Sequence, residues 1–175
     1  MKWRQPVAII LIIAFFAVFS PSASGAVKKF IPVKSGMEEA LEAFIGARNA
    51  FANGNIFQKN KEYEEAVKYY VASLRLWRNE NVYFNLAQCL LALKQYDFAE
   101  WSAAKGLEIS NLKDDTVNLG SFMVLLGNIY YESHNTKKAK DAYNFALRLP
   151  ISEEGYSFVI ERIESMDCDG LSPVH

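Results

Sequence analysis

The sequence predicts an all-α protein, an α-solenoid of three helical hairpins with a capping helix at each end. Two observations support this class. Small, aromatic and aliphatic residues return in one register along the middle of the chain, and amphipathic segments flank that region. The length of 175 residues, with 51% hydrophobic and 22% charged residues, suits one folded domain.

The charge is almost balanced, with 19 Lys and Arg residues against 20 Asp and Glu residues. Proteins that bind nucleic acid usually carry a basic excess on one face. We therefore expect no nucleic-acid partner.

Residues 1–26 have the features of a secretory signal peptide. Lys2 and Arg4 precede an uncharged apolar run over residues 7–19, and small residues follow. As a helix this run would be roughly 20 Å long, shorter than the roughly 30 Å hydrocarbon core of a bilayer. We expect cleavage and export to the bacterial periplasm or outside the cell, with residues 27–35 as a short linker. An uncleaved inner-membrane anchor is the alternative, and only then is membrane contact expected.

The two cysteines are far apart in the sequence. Cys89 lies in the apolar run LAQCLLALKQY, and Cys168 lies in the tail DCDGLSPVH. Export would permit a disulfide, but nothing in the sequence brings the two positions together. Cys89 is expected to be a buried thiol that packs as a small hydrophobic residue.

Three copies of one pattern share a register. The first set recurs after 33 residues and again after 40 more: Tyr63, Ala66, Tyr70 and Leu74; Tyr96, Ala99, Ala103 and Leu107; Thr136, Ala139, Tyr143 and Leu147. The same offsets relate the small residues Gly54, Ala87 and Gly127. Small residues at fixed sites let two antiparallel helices pack closely, and the polar segments KNKE and SHNTK predict the turns.

With these residues the chain resembles the tetratricopeptide repeat (TPR) family, whose repeat of about 34 residues has small residues at its eighth, twentieth and twenty-seventh positions. The copies span about residues 47–79, 80–112 and 120–153. Seven additional residues, 40 minus 33, fall in ISNLKDDTVNL between the second and third copies, where Asp115 or Thr116 is placed to cap a lengthened helix. The whole TPR domain is expected to span residues 36–166.

The flanking segments are predicted to cover the ends of the stack. Ser35 and Glu38 form a capping box at the start of MEEALEAFIGARNAF, whose apolar face contains Met37, Leu41 and Phe44. Ser152 is expected to start a capping helix over residues 152–166. Its predicted buried face contains Tyr156, Val159, Ile160 and Ile163. Residues 167–175 are expected to form a flexible tail.

The resemblance implies a concave groove lined by the first helix of each repeat. Matched by repeat position, the candidate peptide-binding residues are Asn55, Asn85, Gln88, Asn128, Tyr131, Phe51 and Phe84; Leu125 also falls at a groove position. Amides can pair with the backbone of an extended peptide, and aromatic residues can contact its side chains. We expect the asparagines to face outward, so that replacing them leaves no group in the fold unsatisfied. A merely solvated polar face is the alternative.

Some TPR proteins hold the acidic C-termini of heat-shock chaperones in a clamp of basic residues and asparagines. Asn55 and Asn85 match the asparagines of that clamp. Phe51, Ser121 and Leu125 stand at the positions of its basic residues. This departure argues against a ligand of that kind.

No arrangement of residues suggests catalysis. The histidines, His134 in a predicted turn and His175 at the end, have no cysteine partner at metal-ligand spacing, and DCDG lacks the rest of a calcium loop. No enzyme activity, metal, cofactor or small-molecule substrate is expected.

The function predicted from these observations is a scaffold or adaptor that binds an extended peptide or a subunit of a cell-envelope assembly. Two alternatives remain open. The chain can be a structural TPR protein that forms homo-oligomers, or a chaperone-like holder of an exported subunit.

Overall fold

The structure is a computed structural model that describes residues 36–113 and 115–169, with side chains to residue 167. This part of the chain contains seven helices and no strand. The helices are α1 (Gly36–Lys59), α2 (Tyr63–Leu76), α3 (Glu80–Ala92), α4 (Tyr96–Leu112), α5 (Thr116–Glu132), α6 (Thr136–Ala146) and α7 (Glu153–Asp169). They form three hairpins, α1 with α2, α3 with α4, and α5 with α6. The predicted leader, the linker, Ser35 of the capping box and the end of the tail lie outside the described residues.

Close packing within the hairpins depends on the small residues. Ala66, Ala99 and Ala139 are completely buried. A Cβ atom added to Gly54 would lie 2.5 Å from Cε1 of Tyr70. One added to Gly127 would lie 2.3 Å from Cε1 of Tyr143, so neither site has room for a side chain. The repeat register therefore corresponds to interhelical contacts.

The turns inside the three hairpins share one backbone conformation. Lys61, Lys94 and His134 have φ angles of 64°, 58° and 59°. In the first turn, the N–H of Glu62 donates to the carbonyl of Phe57 at 2.9 Å, and equivalent bonds close the other two turns. This is the left-handed ending common at helix C-termini. His134 is exposed and lies in the turn, as predicted.

The seven additional residues lengthen two helices rather than a loop. Shifted by 33 residues, α2 would correspond to 96–109, and α4 continues three residues further, to Leu112. Shifted by 40 residues, α3 would correspond to 120–132, and α5 begins four residues earlier, at Thr116. Of the two residues predicted to cap this helix, Asp115 does so, since its Oδ1 accepts from the N–H of Asn118 at 3.1 Å.

The C-terminal helix covers the third hairpin, with one difference from the predicted face. Val159 is completely buried and Met166 is 5% exposed, and both pack with Tyr143. Tyr156 is 51% exposed, so its assignment to the buried face is wrong. Because α7 starts at Glu153 and continues to Asp169, Met166 extends the buried face one turn toward the C-terminus. Ser152 caps the helix as predicted, accepting from the N–H of Gly155 at 3.1 Å.

The first half of α1 extends beyond the end of α2. Met37, Leu41 and Ile45 on this extension are 82%, 57% and 48% exposed. Phe44 packs edge-on against Trp77, with ring centroids 5.5 Å apart. The predicted apolar face is therefore present, but most of it is exposed in the described part of the chain. Across residues 36–113 and 115–169, no helix is long and apolar enough to cross a bilayer.

Cys89 is a buried free thiol in the core shared by the three hairpins. Burial raises its pKa to about 12, so the thiol stays protonated. The side chain of Cys168 lies outside the described residues.

Candidate functional site

Four amide side chains of α1 and α3 form a hydrogen-bonded network. Asn85 Nδ2 donates to Asn55 Oδ1 at 2.9 Å, and Gln58 Nε2 donates to Gln88 Oε1 at 3.1 Å. The hydroxyl of Tyr70, on α2, lies 2.8 Å from Asn55 Oδ1 and 2.5 Å from Gln58 Oε1. Three predicted site residues, Asn55, Asn85 and Gln88, are thus brought together in one network.

The tyrosine of this network remains a neutral donor. Tyr70 is completely buried, and burial raises its pKa to about 12. The hydroxyl thus keeps its proton at neutral pH and orients the amide oxygens around it. The network therefore presents a polarity that does not change with pH in the physiological range.

Asn128 forms a separate pair in the third hairpin. Tyr143 donates its hydroxyl proton to Asn128 Oδ1 at 2.6 Å, and burial raises the pKa of Tyr143 to about 12. Within the described residues, no hydrogen bond joins Asn128 to Gln88, although both occupy the ninth position of their repeats. Asn55, Gln88 and Asn128, the amides at the ninth position of the three repeats, are therefore not joined in one continuous hydrogen-bonded row within the described residues.

The asparagines are half-buried and hydrogen-bonded within the chain. Replacing Asn128 by Ala would remove the acceptor of the buried Tyr143 hydroxyl. Replacing Asn55 would leave the Tyr70 hydroxyl with Gln58 Oε1 as its acceptor. An unsatisfied buried hydroxyl costs about 1 to 3 kcal/mol. The expectation that these residues can be replaced without leaving a group unsatisfied is therefore wrong for Asn128. The Nδ2 groups of Asn55 and Asn128 donate no hydrogen bond within the described residues and remain available to a ligand.

The two predicted phenylalanines pack partly into the core. Phe51 lies 5.9 Å from the ring of Tyr70 and borders a cleft of about 170 Å³ that also contains Trp77. Phe84 packs edge-on against the buried ring of Phe122 at 5.2 Å. Each ring therefore offers a ligand only part of its surface. Leu125 is 4% exposed and belongs to the core, so its placement in the groove is wrong.

A larger cleft of about 330 Å³ contains the other predicted residues. It is lined by Leu91, Ala92, Lys94, Tyr96, Asn128, Tyr131, Glu132, Phe158 and Arg162. These residues come from α3, the turn after it, α4, α5 and α7. We name this site the C-terminal cleft. It brings Asn128 and Tyr131 together.

Sequence reasoning did not identify the contribution of α7 to this cleft. The guanidinium of Arg162 lies 4.6 Å from the ring centroid of Tyr131 and 5.2 Å from that of Phe158. Phe158 and Arg162 are four residues apart and share one face of α7. Their spacing was visible in the sequence, but that helix was assigned only to covering the last hairpin.

No group of three or more His, Cys, Asp or Glu side chains in the described part of the chain is placed to hold a metal ion. The C-terminal cleft offers hydrogen-bonding, aromatic and charged contacts. The peptide-binding role of the seven predicted residues stays a prediction.

Comparison with known proteins gives matches to helical-repeat proteins. Residues 52–150 match the family model described as "Tetratricopeptide repeat protein 21 forth ARM domain". Tetratricopeptide repeat protein 21A of Mus musculus is 31% identical over 99 residues, which cover 55% of this chain. The match spans 8% of the length of that relative.

Solved structures show the same fold. The N-terminal domain of stress-induced protein-1 from C. elegans superposes with a TM-score of 0.62 at 18% identity, covering 71% of this chain and 97% of that chain. The Arabidopsis OM64 TPR domain gives 0.60 at 20% identity, covering 70% and 98%. The TPR2AB domain of yeast Sti1, in complex with pHSP90, gives 0.61 at 19% identity, covering 70% and 46%.

The predicted all-α solenoid of TPR hairpins is confirmed by the seven described helices together with these TPR structures. The match over residues 52–150 includes most of all three hairpins. The chain belongs to the tetratricopeptide repeat proteins, in the family of the fourth ARM domain of tetratricopeptide repeat protein 21.

Proposed function

We propose that this protein is a non-catalytic scaffold that holds an extended segment of a protein partner in the groove lined by α3, α5 and α7. The C-terminal cleft carries this proposal. In it, Asn128 and Tyr131 lie beside the apolar side chains of Leu91 and Phe158. A cleft with apolar walls and a few fixed polar groups suits a peptide. The walls can bury the side chains of the peptide, and the polar groups can form hydrogen bonds with its backbone.

Proteins of the same fold support a peptide ligand. The yeast Sti1 domain is described in a pHSP90 complex, and the second TPR domain of human RPAP3 is described with the HSP70 peptide SGPTIEEVD. This chain has Phe51, Ser121 and Leu125 at the positions of the basic clamp residues, and Leu125 is buried. We therefore propose a partner other than a chaperone C-terminus of that kind.

Selection of a displayed random-peptide library on the immobilised full chain tests the proposal. We expect enriched peptides to share a motif and to bind the Tyr131→Ala variant at least about fivefold more weakly, because the ring forms a wall of the cleft. Phe98→Ala is the matched control, since Phe98 is 64% exposed on α4 and borders none of the clefts described above. Absence of a shared motif, or equal binding by both variants and the wild type, would contradict the proposal.

A test of Asn128 as a ligand contact requires a variant in which the fold stays stable. Asn128→Ala alone is expected to cost about 1 to 3 kcal/mol because the Tyr143 hydroxyl loses its acceptor. Combining it with Tyr143→Phe removes both partners and should restore most of that stability. If the double variant remains folded, weaker peptide binding assigns a ligand contact to the amide. Binding as tight as that of Tyr143→Phe alone would indicate the solvated polar face instead.

A second candidate function is self-association through the extension of α1. Its apolar residues Met37, Leu41 and Ile45 are exposed together, and Phe44 with Trp77 continues the surface. Sedimentation over a range of concentrations should then show a dimer that Leu41→Glu dissociates. A monomer at every concentration would exclude this function.

The proposal includes export and a partner in a cell-envelope assembly, supported by the leader-like residues 1–26. The intact mass of protein recovered from an exporting host should show the loss of about 24 to 26 residues, the usual length of such leaders. Recovery of the full-length chain only in the membrane fraction would favour an anchor.

A further inference from the structure

Two cations on the C-terminal cleft have no acidic partner among the described residues. Lys94 and Arg162 line the cleft, and neither takes part in the five ion pairs found among the described residues. Among the described residues of the lining, Glu132 is the only acidic one, and it takes part in none of these ion pairs. With two basic groups and one acidic group, 2 minus 1, the lining carries a net charge of +1.

The guanidinium of Arg162 is positioned by aromatic rings. It lies over both Tyr131 and Phe158, at 4.6 Å and 5.2 Å from their centroids. Stacking uses the faces of the planar guanidinium and leaves its N–H edge to donate, and a stacked group loses little freedom when it binds. Within the described residues Arg162 donates no side-chain hydrogen bond, so this edge is available to a ligand.

We propose that the C-terminal cleft binds the side-chain carboxylate of one Asp or Glu residue in the partner's extended segment. Arg162 supplies the forked donors and Lys94 supplies a second positive charge. One carboxylate matches the net charge of the lining, whereas a second acidic group or a phosphate dianion would be repelled by Glu132. Leu91 and Phe158 favour an apolar residue next to the acidic one. This inference rests on the proposed peptide-binding function and specifies its ligand.

The same displayed library tests the inference. Its peptides are fused to the coat protein through their C-termini, so an enriched acidic residue must act through its side chain. We expect one acidic position beside an apolar residue in peptides selected on the wild type, and loss of that preference on Arg162→Gln. Arg148→Gln is the matched control, since Arg148 is an exposed basic residue outside the cleft.

Affinities of a selected peptide provide the quantitative measurement. Arg162→Gln should weaken the Glu-containing peptide about tenfold, because a charge-assisted hydrogen bond is lost. Its effect on the same peptide with Gln in place of Glu should be under about twofold. Lys94→Gln should show a smaller change of the same kind. It also provides the test if Arg162→Gln lowers the melting temperature, since Lys94 lies in an exposed turn.

The outcomes separate this inference from the proposed function. Without any shared motif, peptide binding itself fails. A shared motif without an acidic position, or an acidic preference that survives both Arg162→Gln and Lys94→Gln, overturns only the carboxylate site. The synthetic peptide should also bind equally well with an amidated C-terminus. Loss of binding on amidation would mean that the terminal carboxylate is the ligand, contrary to the proposal.

Discussion

Gly54 and Tyr70 show at the residue scale why a glycine is placed inside a helix. The Tyr70 ring lies where a Cβ of residue 54 would be, and Gly127 and Tyr143 repeat the arrangement. In the second copy, Ala87 stands at the position of Gly54 and Ala103 stands at the position of Tyr70. A larger residue on the first helix of the hairpin is thus accompanied by a smaller residue on the second helix.

This reciprocity predicts that Gly54→Ala changes the free energy of unfolding in opposite directions in two backgrounds of a double-mutant cycle. Gly54→Ala should destabilise the wild type by about 1 to 3 kcal/mol, because the added methyl group overlaps the Tyr70 ring. In a Tyr70→Ala background the same change should stabilise by about 0.5 to 1 kcal/mol, since Ala is the better helix former. Urea denaturation of the four proteins measures the cycle. Equal costs of Gly54→Ala in both backgrounds would contradict the steric explanation.

His134, like Lys61 and Lys94, adopts a left-handed conformation that favours glycine. His134→Gly should therefore stabilise the fold by about 0.5 to 1 kcal/mol, after part of the gain is offset by the entropy of the unfolded chain. Thermal unfolding is the measurement. Ala104→Gly on an exposed site of α4 serves as the control, where glycine should cost about 1 kcal/mol. Destabilisation by both changes would show that the turn does not require glycine-like freedom.

At the scale of the helices, the ion pair of Glu80 and Lys113 joins the start of α3 to the lengthened end of α4. Lys113 Nζ lies 2.7 Å from both carboxylate oxygens of Glu80, whose side chain is 9% exposed. Burial by itself would raise the pKa of Glu80. The hydrogen bond from Lys113, a hydrogen bond from the Glu80 backbone and the charge of Lys113 together outweigh burial and hold this pKa below its usual range.

A lowered carboxyl pKa makes the contribution of this ion pair dependent on pH. The stabilisation is present above the ordinary Glu pKa and is lost as pH falls through the lowered pKa of the folded state. Lys113→Met should cost about 1 kcal/mol at pH 7, a modest value because Lys113 is half exposed, and less at about pH 3.5. Urea denaturation at both pH values tests this. Lys105→Met, which breaks the exposed pair with Glu108, should leave the free energy of unfolding almost unchanged at both pH values. A cost of Lys113→Met that does not change with pH would contradict the assignment.

At the scale of the whole molecule, one core runs through all three hairpins and a second joins the third hairpin to α7. The first contains Tyr70, Leu86 and Phe122, and the second contains Tyr143 and Val159. Each hairpin is therefore stabilised by its neighbours, as expected for a stack of repeats. A change at one end should be detected at the other if the stack unfolds cooperatively.

The buried Val159 allows that test. Val159→Ala should cost about 1 to 3 kcal/mol, and Tyr156→Ala, at an exposed position three residues earlier, under about 0.5 kcal/mol. Trp77 directly follows α2 and Trp101 lies in α4, so both report on the first two hairpins by fluorescence. With cooperative unfolding, Val159→Ala lowers the midpoint detected by fluorescence and by circular dichroism equally. An unchanged fluorescence midpoint would show that the third hairpin unfolds separately.

Interactions that are local in sequence made most of the fold predictable. Polar turns and caps such as Asp115 and Ser152 act within a few residues, and the small residues pack within single hairpins. The three copies repeat these features in one register. The positions of the helices and turns follow from such short-range patterns. This explains why the three hairpins and the presence of a C-terminal capping helix were predicted correctly. The length of that helix, α7, and the residues that it buries were not predicted correctly.

Contacts between helices decided what each side chain does in the groove. The hydrogen bond of Tyr70 to Asn55 joins residues 15 apart in the sequence, and that of Asn85 to Asn55 joins residues 30 apart. The pairing of these amides within the chain therefore depends on how separate helices are packed. The rotation of α7 about its own axis buries Met166, exposes Tyr156 and places Arg162 over Tyr131. An amphipathic pattern leaves that rotation uncertain by about one residue, which is about 100° of a helix. Only the packed structure therefore showed that the helix covering the stack also forms one wall of the C-terminal cleft.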